Sequence, residues 1–185
     1  MQHLLQEIGN RCFVTPALQE RVQDVFTVRE AKKGEKILTQ GSMANYLYFI
    51  EKGILHSYYF REDKQITSWF YNEHQFMTSW HSFYGQKHSF EEIECLEECL
   101  LYQISYQDYQ KLIAAFPAFG NFARLLAEEM LTFLDEFSKD WAFLKAKEKY
   151  DALLRYFPDI ALRVQLGYIA SFLGISQETL SRIRK

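Results

Sequence analysis

The feature that most constrains this chain is a glycine set between two short apolar stripes at its end. Leu166, Ile169, Ala170 and Leu173 recur at helical spacing, and Ile175, Leu180 and Ile183 continue an apolar stripe after a break at Gly174. Gly174 can adopt the positive φ of a tight turn, Ser176 can cap the second helix, and Glu178 sits near the positive end of its dipole. Ala170, four residues before Gly174, is small enough to let two helices cross at roughly 90–120°. The order of small residue, glycine and apolar positions predicts a helix-turn-helix. With Leu180 and Ile183 turned inward, Ser176, Gln177, Glu178, Thr179, Ser181, Arg182 and Lys185 are left to meet DNA. Arg182 is the expected base reader, Gln177 and Glu178 tune neighbouring positions, and Ser176, Thr179 and Lys185 hold phosphates. A packed helical hairpin that touches no nucleic acid is the competing reading of the same pattern.

Charge distribution favours the first reading. The net charge is −3, yet residues 142–185 carry eight Lys or Arg against four Asp or Glu, a net +4 that leaves −7 on residues 1–141. A basic end on an acidic body fits contact with phosphate at that end alone. No run approaches the ~18 apolar residues of a membrane span, and the start lacks the basic and apolar regions of a signal peptide, which predicts a cytoplasmic protein without membrane contact. Cys12, Cys95 and Cys99 lack CxxC spacing and read as reduced structural thiols.

Upstream, residues 2–10 and 16–26 read as helices, the second opened by Thr15 and Pro16. From Thr27 to about Ile104, Gly34, Gly41, Gly53 and Gly85 punctuate short runs rich in Ile, Tyr, Phe and Thr, the pattern of a compact β-sandwich or β-roll. Helix follows over 105–116. Then Phe119, Phe122, Leu126, Met130, Phe133, Phe137, Trp141 and Leu144 recur at spacings of 3, 4, 4, 3, 4, 4 and 3, close to a coiled-coil seam. Two partners could cover that stripe: the β-domain of the same chain or a second copy. Its length of about seven turns favours a parallel homodimer. A further helix over 147–156 gives the terminal pair something to pack against.

In this order the parts resemble the Crp/Fnr family, the cyclic-AMP receptor protein and its relatives, across essentially the whole chain. The resemblance is carried by Lys33-Gly34-Glu35, Gln40-Gly41, the run from Tyr46 to Gly53, and the run from Gly174 to Ile183. It implies an α+β chain: an N-terminal double-stranded β-roll of the cyclic-nucleotide-binding, jelly-roll type over 1–116, a dimerisation helix over 117–144, and a C-terminal helix-turn-helix over 145–185. It also implies a homodimeric, DNA-binding transcription regulator, with room for contact with RNA polymerase and for a small-molecule effector. Glu178 and Arg182 match base-contacting positions of the family, while Gln177 stands where the receptor has an arginine, so the preferred site should differ.

The nucleotide pocket departs from the family. Its Gly-Glu and Arg-Ser/Thr pairs, which hold ribose and cyclic phosphate, align with Thr78-Ser79 and Ser89-Phe90. Without the arginine a buried phosphate loses its bidentate, charge-matched partner, so cyclic AMP is not the expected effector. The expected pocket, lined by Trp69, Thr78, Ser79, Trp80, His81, Ser82, Phe83, Ser89 and Phe90, would suit a flatter, less charged molecule. No cofactor is implied. The His-x-His spacing of a metal-dependent β-roll enzyme is absent, which argues against metal and catalysis. A ligand- or partner-binding roll whose terminal helices are a structural cap is the alternative to the regulator.

Overall fold

The computed structural model describes residues 1–184, apart from the side chain of Asp140; Lys185 lies outside the described residues. Two short helices, α1 (Gln2–Gly9) and α2 (Pro16–Val25), precede eight strands: β1 (Thr27–Ala31), β2 (Lys36–Leu38), β3 (Tyr46–Lys52), β4 (Leu55–Arg61), β5 (Lys64–Tyr71), β6 (Phe76–Met77), β7 (Glu92–Cys95) and β8 (Cys99–Ser105). The short helix α3 (Trp80–Gly85) interrupts them between β6 and β7. Thr15 caps α2, its hydroxyl accepting the Leu18 N–H at 3.2 Å. The strands form two four-stranded antiparallel sheets, in the orders β1-β8-β3-β6 and β2-β7-β4-β5. Leu47, Phe49, Ile50, Leu55, Met77, Leu101 and Ile104 are fully buried, on the two faces of the roll's sheets and under the helices packed on them. β3 carries four consecutive buried residues because α1 covers its outer face while the second sheet covers its inner one.

Two turns show how the roll closes. Gly53, at φ +111°, joins β3 to β4 where any Cβ would lie 2.5 Å from the Cys99 sulfur, so the backbones meet there only through glycine. The β4–β5 hairpin turns through Glu62 (φ 49°) and Asp63 (φ 60°) between the paired Arg61 and Lys64. Both turn residues are left-handed, the geometry that Asn-Gly fills with least strain.

The helical remainder comprises α4 (Tyr106–Ala115), the 27-residue α5 (Pro117–Phe143), α6 (Ala146–Tyr156), α7 (Ile160–Arg163), α8 (Leu166–Leu173) and α9 (Gln177–Ile183). Pro117 opens α5 at a position where a helix needs no N–H. The stripe expected to form a seam between two copies is covered within the chain instead. Phe119, Phe122 and Leu126 belong to the roll's core, and Phe137 and Trp141 pack into a second core formed by α6–α9 with Ile54, Phe70 and Leu96 of the roll. Met130 and Phe133 face β5 and the end of α6 across a cavity. The stripe is too aromatic to face water, and the nearest dry surface is Trp69 on edge strand β5, whose ring lies 5.1 Å from Phe133 and 5.0 Å from Phe137.

Replacing Glu62-Asp63 by Asn-Gly should relieve the hairpin's left-handed strain and stabilise the protein by roughly 1–2 kcal/mol, read as a higher urea midpoint at unchanged m-value.

Candidate functional site

The terminal helix pair turns at Gly174, which caps α8 at φ +69°, its N–H reaching the carbonyls of Ala170 and Ser171. Ile175 N–H then returns to the Ala170 carbonyl at 3.0 Å, so the tight turn satisfies the end of α8. Ser176 opens α9: its hydroxyl accepts the Thr179 N–H at 3.2 Å and lies 3.2 Å from the Thr179 hydroxyl. Leu180 is buried and Ile183 packs on the second core, which fixes the rotation of α9. Gln177, Glu178, Ser181 and Arg182 consequently share an exposed face, with Ser176 exposed at its start and Thr179 half-buried at its edge. Of the residues expected to meet DNA, only Lys185 falls outside the described residues.

That face is partly preorganised. Arg182 donates to the Thr179 hydroxyl at 3.2 Å. The Ser176 hydroxyl, its own N–H at the helix start and the Arg182 guanidinium lower the Glu178 carboxyl below its ordinary value. Gln177 folds its amide over the first turn of α8, where a Cβ on Gly167 would lie 2.9 Å from its nitrogen. Glycine at 167 therefore leaves room for this side-chain amide.

Behind the exposed face, the terminal helices are fastened to the roll at three places. The Ser171 hydroxyl donates to the Gln65 carbonyl at 3.0 Å and accepts the Thr67 N–H at 3.1 Å, supplying the edge of β5 with the partners it lacks. Arg163 donates to Glu73, at 2.6 Å and 3.1 Å, to Glu97 and to Asp159 at 3.0 Å. Burial works against ionisation of Glu73, but Arg163 and the Gly53 N–H outweigh it and hold its carboxyl down at about 2. The third contact is Tyr168, edge-on over His56 with ring centroids 4.6 Å apart. His56 is fully buried and both its ring nitrogens lack a hydrogen-bond partner among the described residues, so burial lowers its pKa to about 4. Sequence reasoning missed this junction: Arg163 meets carboxylates 66 and 90 residues away, and its signal in the sequence is one more basic residue.

The residues expected around an effector do not converge. Trp69 lies in the junction with Phe133, Phe137, Phe157 and Phe172. Phe83 is buried against Tyr106 and Tyr109, Trp80 stacks on Tyr84, and His81 and Phe90 are exposed. The Thr78 hydroxyl donates to the Tyr46 carbonyl, and the Ser82 hydroxyl to the Lys87 carbonyl. Ser79 and Ser89 do meet, 3.3 Å apart, but around Glu91, whose carboxylate accepts from Ser79 at 2.7 Å and is also reached by Ser57 and Ser68. Burial raises the Glu91 pKa. One cause is steric: Phe83 of α3 is fully buried and occupies core volume beside these residues. Thr78 and Ser79 line a separate cavity of about 210 Å³ with Arg29 and Lys36. Both cations there are already paired, Arg29 with Glu35 at 3.0 Å and Lys36 with Glu92 at 2.6 Å. Cys95 and Cys99 are buried, and their mutual contact together with burial pushes the Cys95 thiol far up. Among the described residues no cluster of three or more His, Cys, Asp or Glu is placed to hold a metal ion, and no helix is long and apolar enough to cross a membrane.

A two-sheet roll capped by helices, with the α3 segment between β6 and β7, is the architecture of cyclic nucleotide-binding domains. Residues 28–116 match the model of the cyclic nucleotide-binding domain family. The chain as a whole shares the fold of Crp/Fnr regulators. It is similar to FixK2 from Bradyrhizobium japonicum, at 20% identity over 86% of this chain and 83% of that one, with a TM-score of 0.72. It is similar to the global regulator CLP of Xanthomonas campestris, described as c-di-GMP responsive, at 18% identity over 91% and 89% of the two chains, with a TM-score of 0.67. The catabolite activator protein of Thermus thermophilus matches at 19% identity over 93% and 83%, with a TM-score of 0.60. No curated protein matches the sequence itself.

The junction generates a pH dependence of defined sign. His56 binds its proton less readily folded than unfolded, so its contribution to stability is present above about 6.5 and is lost as pH falls towards about 4. Glu73, depressed in the fold, contributes above its unfolded value of about 4.5, and that contribution is lost as pH falls towards about 2. His56→Leu, which removes the orphaned ring, should raise the melting temperature at pH 5 and flatten its decline between pH 6.5 and 4. Glu73→Gln should flatten only the lower limb. Melting curves across pH 2–7 check both.

Proposed function

We propose that the chain is a sequence-specific DNA-binding transcription regulator of the Crp/Fnr type, acting as a cytoplasmic homodimer on a palindromic site. The observation that carries this reading is the exposed face of α9, where Gln177, Glu178, Ser181 and Arg182 stand clear of the core that Leu180 anchors. The α8–α9 pair is the helix-turn-helix, and α9 is its recognition helix in the major groove. In a dimer two such helices would lie about 34 Å apart and read half-sites one turn apart. Arg182, steadied by Thr179, donates to guanine, and Gln177 and Glu178 set neighbouring preferences. Regulation would run through the roll, by an effector that favours one dimer arrangement over another. Contact with RNA polymerase is part of the same reading.

The regulator works without cyclic AMP. Glu91 engages the Ser79 hydroxyl through its carboxyl and the Ser89 hydroxyl through its carbonyl, which supports this, since a cyclic phosphate brought to those serines would find their hydroxyls already taken. The dimer seam runs along the outer stripe of α5, Ala127, Leu131, Leu134 and Ser138, rather than along Phe133 and Phe137. Leu131 is 69% exposed and Leu134 48%, at the spacings of a coiled-coil seam.

A second reading, a ligand- or partner-binding roll with a structural helical cap, draws on the fastening of α8 to β5. Selection of duplexes from a random pool at two salt concentrations separates the two. The regulator enriches a palindrome whose binding weakens steeply with salt. Arg182→Ala should cost roughly 1–3 kcal/mol, about 5- to 150-fold, and relax the preference at one position of each half-site. A cap enriches nothing.

The seam has its own check by sedimentation velocity. Leu131→Asp combined with Leu134→Asp should give a folded monomer with weakened DNA binding. Phe137→Ala should leave the association state unchanged and lower stability, by less than the roughly 3–5 kcal/mol of a fully buried Phe because the ring is only partly buried.

A further inference from the structure

We propose that the cavity where β5, α5 and α6 meet binds an uncharged, flat aromatic molecule of one or two rings, and that its occupancy is coupled to DNA affinity. The coupling rests on the regulator reading; the binding does not. The cavity has a volume of about 280 Å³. Ligand pockets run from roughly 300 Å³ upward, so this one sits at the small end and suits a single flat ring system. Its walls are Trp69 of β5, Met130 and Phe133 of α5, and Tyr156 and Phe157 at the end of α6. Trp69 stands edge-on to Phe133 at 5.1 Å and to Phe157 at 5.8 Å, and Phe133 edge-on to Tyr156 at 5.6 Å. Such edges and faces, with a thioether beside them, favour another aromatic ring.

The polar lining decides the charge. Arg11, Glu129 and His74 line the cavity; the guanidinium is already engaged, with Glu129 at 2.9 Å and with the Glu7 carboxylate at 3.0 Å, and the His74 ring is packed against His3 and stacked on Phe49. An anionic ligand would have to displace Glu129 from Arg11, whereas an uncharged one leaves the pair intact and keeps Gln75 and the Tyr156 hydroxyl within reach for polar contacts. Tyr156 is 50% exposed, which gives an entry side. None of the polar residues aligned with the family's nucleotide-binding pairs lines this cavity.

The walls come from three parts of the chain, the roll, the long helix and the first helix of the terminal unit. A molecule that touches all three binds only while α6–α9 is docked as described above. It therefore holds the terminal unit in one position relative to the roll, which is the differential affinity a regulatory ligand requires.

The probe is indole, titrated into protein labelled with ¹³C at its methionine methyl groups, with Met130→Leu assigning the Met130 resonance. Met130 should shift saturably while Met43 and Met77 stay still, and benzoate at equal concentration should move none of them. Leu126→Phe, which fills the cavity, should abolish the shift. Tyr156→Ala, which removes one half-exposed wall, should weaken indole binding at least about fivefold, with a melting curve checking that the variant stays folded. A Met130 resonance indifferent to indole, or a shift that survives in both variants, overturns the site. The second arm measures affinity for the duplex enriched by selection: saturating indole should change it by about fivefold or more, and should not in Leu126→Phe. Indole binding with duplex affinity unchanged overturns the coupling. If Met130 shifts and no duplex is ever bound, the site stands and the regulator reading falls. If the duplex is bound and Met130 does not respond, the reverse holds.

Discussion

Trp69 is the contact on which the architecture depends. It sits on the edge strand of the second sheet, where a backbone would otherwise face water with its hydrogen-bonding groups unpaired, and five aromatic rings from α5, α6 and α8 stand within 6.2 Å of it. Through that ring the long helix and the terminal helices share one dry surface with the roll. Ser171 completes the arrangement by satisfying the strand edge directly, and Arg163 closes its rim with three carboxylates.

The cost of this junction is a buried imidazole. His56 has no partner for either ring nitrogen among the described residues, and desolvation of an unpaired polar group opposes folding. Trp69 and its neighbours offset that cost by apolar burial and ring contacts. The position ties protonation to the docking of Tyr168, so acid acts on the same interface that orients α9. The aromatic cavity opens onto the same junction, so an uncharged ring and a proton act on one joint from two sides.

Much of the fold was legible because its signals are local. Glycine punctuation marks the strand region, Thr15 and Ser176 mark helix starts by their hydroxyls, and the small–glycine–apolar order around Gly174 marks the terminal turn. The exposed face of α9 follows from Leu180 and Ile183 alone. The effector pocket was not legible. Ser79 and Ser89 stand at positions that the family's motif turns toward a pocket, and nothing local to them announces that Glu91 occupies their hydroxyls or that Phe83 fills the core. Position in a motif identifies which residues could face a pocket; side-chain volume and partners from other strands decide whether a pocket is left.

The stripe along α5 shows where the boundary falls. Its periodicity, by itself, determined that one face of a long helix must leave water, because eight apolar residues at 3- and 4-residue spacing cannot stay exposed. The tertiary structure decided what covers them: the roll's core for Phe119, Phe122 and Leu126, and β5, α6 and α8 of the same chain for Phe133, Phe137 and Trp141, with Leu131 and Leu134 left exposed on another face of the helix. The physical reason is that hydrophobic burial has no direction of its own. A sequence states how much surface must be covered and with what period, while the covering surface is chosen by contacts between residues far apart in the chain.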